Sequence, residues 1–244
     1  MPVIGWRLTV LITALTILYT LLLRRHLPDT PIVPQKRPSY KVLWRTPVFR
    51  KKTLLLGALW FVVMLTYYGM FLWLPSILVS RGFSIVHSFN YTLLMSLAQL
   101  PGYYLAAYLM GKISRKSVLA IYLGGTIVSA LAFSLASGNM AILISGAWLS
   151  FFDLGAWGTL IAITPSQFPE AIRGTGMGAA QSIGRVGAMI GPYVVGLLIQ
   201  MKTPLTGIFG IFVVLLLIGI AVLMWGIQDV DAQREEGVTG EAKS

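Results

Sequence analysis

Seven long apolar segments are the feature of this sequence that most restricts its fold. Each is about 20 residues long, which is what an α-helix needs to cross about 30 Å of hydrocarbon. The segments are too long for strands and lack the alternation of a barrel, the other structure that satisfies its backbone in lipid. The sequence therefore predicts an all-α membrane protein, a polytopic helical bundle of about seven transmembrane helices. The predicted spans are residues 5–23, 53–78, 89–110, 118–136, 140–164, 175–201 and 205–227.

Composition agrees with the lipid bilayer as the solvent of this chain. Hydrophobic residues make up 56% of the sequence and charged residues only 11%, against about 25% charged in an ordinary soluble domain. Cysteine is absent, so disulfide and thiol chemistry are excluded. The first apolar run is followed by Arg24 and Arg25 instead of being preceded by positive residues. It therefore reads as a retained span, not as a cleaved signal peptide.

The net charge of +11 is distributed unevenly over the loops. Nine of the 19 Lys and Arg residues lie in residues 24–52, whereas the alternate loops hold only Arg7, Arg81 and Lys202. By the positive-inside rule, this bias predicts a multi-pass protein of the plasma or inner membrane, with its N-terminus outside and its C-terminus in the cytoplasm. Nucleic acid is excluded as a partner because the basic loop is short, adjoins two spans and contains no nucleic-acid-binding module.

Four parts are expected along the chain. Residues 1–24 form a single transmembrane helix, and 25–52 form a basic, proline-rich cytoplasmic linker in which the prolines prevent a continuous helix. A short interfacial helix around residues 40–44 is the most that this linker is expected to contain. Residues 53–228 form a six-helix transmembrane bundle, and 229–244 form a polar, disordered cytoplasmic tail.

Glycines of the sixth apolar segment predict close helix packing. Gly184, Gly187 and Gly191 recur at i, i+3 and i+7, which places a groove on one helix face where a neighbouring backbone can approach. Pro192 follows directly and removes a helix hydrogen bond. A kink is expected there, and a hinge for a rocking motion is the alternative.

Asp153 and Arg185 are the only charged residues deep within the predicted spans. Each costs about 3 kcal/mol near the centre of an apolar helix, so each should face the bundle interior or a wet cavity, where the two could pair. Ser150 and Trp157 share a helix face with Asp153, and Gln181 precedes Arg185 by one turn. One interpretation is a proton site, since burial favours the neutral acid and a nearby guanidinium favours the carboxylate. The other is a permanent ion pair that fixes the helix register.

Several motifs in the expected order resemble those of the major facilitator superfamily. TPSQFPEAIRGTGMGAAQSIGRVGAMIGPYVVG (164–196) resembles the region around the penultimate helix in the sugar and metabolite porter branch. GWR (5–7) with LRRHLPDTP (23–31) resembles the sixth helix and the element that follows it. YYGMFLWLP (67–75), LAQLPGYYLAAYL (97–109) and FFDLGAWG (151–158) resemble proton-coupled porters that include niacin permease-like proteins. The resemblance implies the C-terminal six-helix half of the major facilitator fold, plus one preceding helix.

Two elements depart from the family pattern. The cytoplasmic loop motif appears as GKISRK (111–116), with Lys112, Arg115 and Lys116 but without the acid and the glycine of the family. Ser166 stands where the family has a glutamate. In the family, these charges are thought to hold cytoplasmic helix ends together in one transport state. Both departures put that contact in doubt for this chain. Arg173 begins the penultimate helix and is expected to contact headgroups or carbonyl groups at the interface.

The resemblance implies transport of a small organic solute across the membrane, coupled to a proton. Superfamily members consist of two halves with the substrate site between them near the midplane. Two alternatives stay open: a truncated fragment that does not transport, and a half that needs a separately encoded N-terminal half as its partner. We expect Tyr67, Gln99 and Trp157 to line the substrate cavity, because they lie in spans that line the cavity in relatives. They belong to a larger aromatic set with Trp60, Tyr68, Trp73, Tyr91, Tyr103 and Tyr104.

Other functional classes lack their required residues. A retinal protein needs a lysine inside its last helix, whereas Lys202 lies before it. An enzyme needs nucleophiles or metal ligands within reach of one another, and the two histidines, His26 and His87, lie in loops on opposite sides. No metal and no cofactor are expected.

Overall fold

The computed structural model describes residues 3–26 and 40–229, and all regular structure in these ranges is helical. The all-α prediction is confirmed. The chain divides into two compact units, Met1–Arg37 and Pro38–Ser244. Helix α1, Val3–His26, is the described part of the first unit, and its role as a membrane span stays a prediction. Residues 27–39 of the predicted linker and 230–244 of the predicted tail lie outside the described residues.

Six segments of the second unit are long and apolar enough to cross a bilayer. They are α3, α5 continued by α6, α7, α8, α9 with the 3-10 turn Glu170–Ile172 before it, and α10. The helices of this unit are α2 (Lys41–Arg45), α3 (Pro47–Phe71), α4 (Leu74–Ser80), α5 (Ile85–Leu97), α6 (Gln99–Met110), α7 (Arg115–Leu135), α8 (Asn139–Ser166), α9 (Arg173–Gln200) and α10 (Leu205–Gly226).

Prolines account for several of the helix boundaries. Pro47 opens α3 six residues before the predicted span, since proline is well tolerated in the first turn of a helix. Pro75 lacks the N–H that would bond to the carbonyl of Phe71, the last residue of α3. Pro101 has the same relationship to Leu97, the last residue of α5. The second and third apolar segments are therefore each interrupted in the structure.

Helices α3 and α9 pack closely and run in the same direction. Gly184 lies against Trp60, Gly187 against the carbonyl group of Phe61, and Gly191 against that of Leu65. Because a side chain at these glycines would overlap the neighbouring backbone or side chain, the glycines permit the short distance between the helices. We call this contact the α3–α9 seam.

Helix α8 is the element around which the candidate site is arranged. It contacts α3, α5, α6, α7 and α9. Gly102 of α6 lies against the backbone of Phe151, and Gly155 of α8 lies under the ring of Tyr122 from α7. These approaches bring groups from α6 and α7 to the middle of α8.

The basic side chain of Arg81 holds the end of α7. Arg81, after α4, donates hydrogen bonds to the carbonyl groups of Phe133, Ser134 and Ala136 at the end of α7, with donor–acceptor distances of 3.2, 3.1 and 2.9 Å. Its guanidinium also lies 5.4 Å from the centre of the Phe133 ring. Cations at a helix C-terminus stabilise the unpaired carbonyl groups there.

Candidate functional site

Asp153 lies in the middle of α8 and is completely buried. Within residues 3–26 and 40–229, neither of its carboxyl oxygens has a hydrogen-bond partner. The titratable groups around it are tyrosines. Tyr67 of α3 lies close enough to the carboxyl group to interact with it electrostatically. The ring of Tyr103 packs on Gly158 of α8, and the ring of Tyr122 packs on Gly155. A buried acid in these surroundings is stable only when neutral or when a bound group compensates it.

Ser150 precedes Asp153 by almost one helical turn and is also completely buried. Ser145, Thr159 and Thr164 of the same helix each donate to the carbonyl group four residues earlier. The hydroxyl group of Ser150 instead has no partner in the described part of the chain. Two residues almost one turn apart on α8 therefore present polar atoms that the described protein groups do not satisfy.

An aromatic cluster joins α3 to α8 beside this acid. The ring centre of Trp157 lies 5.6 Å from that of Trp60, 5.3 Å from that of Tyr67 and 6.2 Å from that of Tyr68. Tyr67 also lies 4.8 Å from Phe71. We use the name aromatic cluster for these five residues. Trp60 is fully buried, whereas Tyr67, Tyr68 and Trp157 are partly exposed, so the cluster presents ring surface at an accessible face.

Polar groups border the cluster on the side of α6. Gln99 and Tyr103 of α6 both lie close to the hydroxyl group of Tyr67. The structure thus brings together four of the predicted site residues: Tyr67, Gln99, Asp153 and Trp157. Their functional roles stay predictions.

Gly158 is a site residue that the sequence analysis did not single out. The ring of Tyr103 occupies the space where a side chain at Gly158 would lie. A glycine next to Trp157 in a long apolar helix is the signal that could have indicated this contact. Thr164 is a second such residue, since it accepts a hydrogen bond of 3.0 Å from the Nε1–H of Trp60 and fixes that indole.

The suggested pairing of Asp153 with Arg185 does not form. Arg185 is exposed on α9, and no ion pair or hydrogen bond links it to Asp153. Gly184 and Gly187 flank Arg185 in sequence and face α3, so the helical twist directs the guanidinium away from that contact. Gln181, one turn earlier, is partly exposed. The permanent ion pair is therefore wrong as an explanation of Asp153.

Pro192 lies where α9 meets the interruption between α3 and α4. Its carbonyl group accepts a hydrogen bond of 2.9 Å from the Nε1–H of Trp73. Gly196 leaves space for the Trp73 ring. The α3–α9 seam and this bond hold the backbone around Pro192 on both sides, an arrangement that favours a static kink over a free hinge.

The basic residues predicted for the cytoplasmic loop lie at helix ends. Lys116 donates to the carbonyl groups of Met224 and Ile227, at 2.9 and 2.8 Å, and so holds the end of α10. Lys112 lies 5.9 Å from the ring centre of Tyr108. Arg115 begins α7. Arg173 begins α9 and lies 3.9 Å from Glu170, which is 90% exposed.

Hydrogen bonds from Lys52 and Gln167 connect α3 with the ends of α8 and α10. Lys52 of α3 donates to the backbone carbonyl of Gln167 at 3.1 Å, and the side chain of Gln167 donates to the carbonyl of Gln228 at 3.0 Å. This network lies next to Ser166, where the family pattern has a glutamate. Among the described residues, no group of three or more His, Cys, Asp or Glu side chains could hold a metal ion.

A family profile and several proteins match the chain. The profile described as Major Facilitator Superfamily matches residues 88–243. A Bacillus subtilis protein provisionally named niacin/nicotinamide transporter is 45% identical over 230 residues, covering 91% of this chain and 57% of the relative. The niacin transporter of Acinetobacter baylyi is 41% identical over 194 residues, covering 80% of this chain and 44% of the relative. The chain thus spans about half the length of these relatives.

The fold also matches a solved structure. The crystal structure of a variant of the Escherichia coli fucose:proton symporter aligns with a TM-score of 0.71 and 17% sequence identity, covering 90% of this chain and 54% of that chain. At this identity the match concerns the fold alone. It confirms the predicted resemblance to half of the major facilitator fold.

Proposed function

Since the chain belongs to the Major Facilitator Superfamily, we propose that it forms the six-helix part of a carrier that moves a small aromatic carboxylic acid across a membrane together with a proton. The names of the two relatives support this substrate class, because niacin is a pyridine carboxylic acid. The observation on which the proposal depends most is the unpartnered, buried carboxyl group of Asp153 beside the aromatic cluster.

The aromatic cluster is suited to a flat ring. Offset or edge-to-face contacts between aromatic rings contribute about 0.5–1.5 kcal/mol beyond the area they bury. Trp157 and Tyr67 offer partly exposed rings from two different helices, so a bound solute would contact both α3 and α8. Solute sites are mostly apolar with a few placed polar groups, and Gln99 and Tyr103 supply such groups.

The surroundings of Asp153 support a role in proton coupling. An ionised carboxylate at the centre of a span costs about 3 kcal/mol or more, and the described chain offers it no cation. Protonation removes this cost. An anionic solute at the aromatic cluster would be repelled by the ionised acid, so protonation of Asp153 and solute binding should favour each other. This coupling is reciprocal, because it is a free energy shared by the two sites.

A second six-helix unit is the partner we propose for this chain. Carriers of this superfamily place their substrate between two halves. Exposed apolar side chains on α6 and α9, among them Leu100, Leu105, Val186 and Met189, support packing against such a unit as well as against lipid. We further propose a plasma or inner membrane location with the C-terminus in the cytoplasm, on the basis of the loop charges.

Counterflow of labelled nicotinate in proteoliposomes tests the proposal. The purified full chain should bind labelled nicotinate, and exchange of external against internal label is expected when a second six-helix unit completes the carrier. Trp157→Ala should reduce binding and exchange severely. Binding without exchange would favour a half that needs a partner. A chain that neither binds nor exchanges nicotinate, while retaining its helical content, would contradict the proposal.

A further inference from the structure

Gln99 of α6 lies close to the hydroxyl group of Tyr67 of α3 at the edge of the aromatic cluster. Both side chains are partly exposed, unlike the fully buried Asp153 next to them. Their polar ends are therefore within reach of a solute that contacts the cluster.

The two groups keep hydrogen-bonding capacity for an occupant even when one donates to the other. When the Gln99 amide N–H donates to the phenol oxygen of Tyr67, the O–H of Tyr67 remains a donor and the amide oxygen of Gln99 remains an acceptor. A single occupant could satisfy both. The pair thus offers one donor and one acceptor at the same point.

A third polar group, the hydroxyl group of Tyr103, lies on the same side. Tyr103 belongs to α6, one turn after Gln99, so the two side chains share a helix face. Its ring is held on Gly158, the residue after Trp157. This contact fixes the ring next to the part of α8 that contributes to the cluster. Tyr104, in contrast, is 77% exposed and points to another side of α6.

We propose that Tyr67, Gln99 and Tyr103 determine specificity by selecting a ring that carries a hydrogen-bonding atom, such as a heterocyclic nitrogen or a ring hydroxyl group, over an all-carbon ring of the same shape. The inference depends on the proposed function, because it assumes that an aromatic acid binds at the aromatic cluster. Shape alone discriminates poorly between rings that differ in one atom. A site built to hydrogen-bond a substrate group rejects an analogue without that group, because its own polar groups then stay unpaired.

Nicotinate and benzoate are the matched probes, since they differ only by a ring nitrogen in place of a C–H group. Equilibrium binding of each acid is measured with the purified full chain in lipid nanodiscs. We expect nicotinate to bind about tenfold more tightly, in line with the gain of one hydrogen bond in a dry site. Gln99→Leu and Tyr103→Phe should each bring the ratio of the two dissociation constants towards one. Both substitutions should weaken the binding of nicotinate, while the dissociation constant of benzoate should change less than about twofold.

Tyr104→Phe is the matched control, because it removes a phenol hydroxyl group from the residue next to Tyr103. Its ratio of the two dissociation constants should equal that of the unaltered chain. Equal binding of the two acids by the unaltered chain would overturn the specificity inference and leave the proposed function intact. A variant that weakens both acids equally would also overturn it, since that result indicates a purely structural role. Absence of binding for both acids would contradict the proposed function and the inference with it.

Discussion

The indole ring of Trp157 meets that of Trp60 edge to face, with ring centres 5.6 Å apart and planes at 90°. The contact joins α8 to α3. The Nε1–H of Trp60 is already bonded to Thr164, so the buried indole is fixed and Trp157 packs on a rigid surface. Trp157 is therefore both part of the helix contact and part of the accessible ring surface.

Trp157→Ala should lower both stability and affinity. Loss of a large, partly buried aromatic side chain should cost on the order of 2–3 kcal/mol in stability, and removal of its stacking surface should weaken nicotinate binding about tenfold. Thermal unfolding in detergent and equilibrium binding measure the two effects. Trp148→Ala on the same helix is the control, since Trp148 is 51% exposed and lies outside the cluster. Equal losses in the two variants would contradict the assigned position of the substrate.

Gly187→Ala should open the α3–α9 seam. The added methyl group would overlap the backbone carbonyl of Phe61, which cannot move without shifting α3, so a cost of about 1–3 kcal/mol is expected. Gly178→Ala on the same helix has nothing within 4 Å of the added carbon and should be neutral or slightly stabilising. Thermal unfolding of both variants checks the difference. A tolerated Gly187→Ala would mean that the seam is looser than described.

Arg81→Ala should destabilise the end of α7. The guanidinium donates to three carbonyl groups there, and burial lowers the pKa of Arg81 from its ordinary value. Hydrogen bonds from a charged donor contribute about 1.5–3 kcal/mol in total at a partly buried site of this kind. Arg81→Lys should recover only part of the loss, since an ammonium group cannot reproduce the planar fork. Full recovery with lysine would show that charge alone matters.

Asp153 and Arg185 should behave independently in a double-mutant cycle. The two side chains do not contact each other, so the effects of Asp153→Asn and Arg185→Gln on stability should add within about 0.5 kcal/mol. Chemical unfolding of the two single variants and the double variant measures the coupling. A coupling energy well above this value would indicate an ion pair that forms in another state of the carrier.

Much of the fold follows from local features of the sequence. Apolar runs predict where the spans lie, because backbone hydrogen bonding in lipid permits few alternatives. The ends of α3 and α5 are not predicted, since the sequence indicates continuous spans over residues 53–78 and 89–110. Asp153 is recognisable for a similar reason, since a lone acid in an apolar run is costly. The spacing of Gly184, Gly187 and Gly191 likewise indicates a helix face that permits close approach.

The contacts of the site depend on packing between distant segments. Periodicity places Arg185 on a face of α9 but does not show which helix that face contacts. The sequence therefore suggests a pairing with Asp153 that does not form in the structure. Trp73 and Pro192 are 119 residues apart, and no local pattern links them. The same holds for Tyr103 and Gly158, whose contact depends on how α6 and α8 approach each other.

The pH dependence of nicotinate binding to the full chain and to Asp153→Asn tests the central claim most directly. Nicotinate is anionic over the working range, so its affinity for the unaltered chain should fall as pH rises and Asp153 loses its proton. Asparagine keeps the shape of the side chain and cannot ionise, so the variant should bind with an affinity that does not change with pH. The same pH dependence in both proteins, each correctly folded, would contradict the assignment of Asp153 as the proton site.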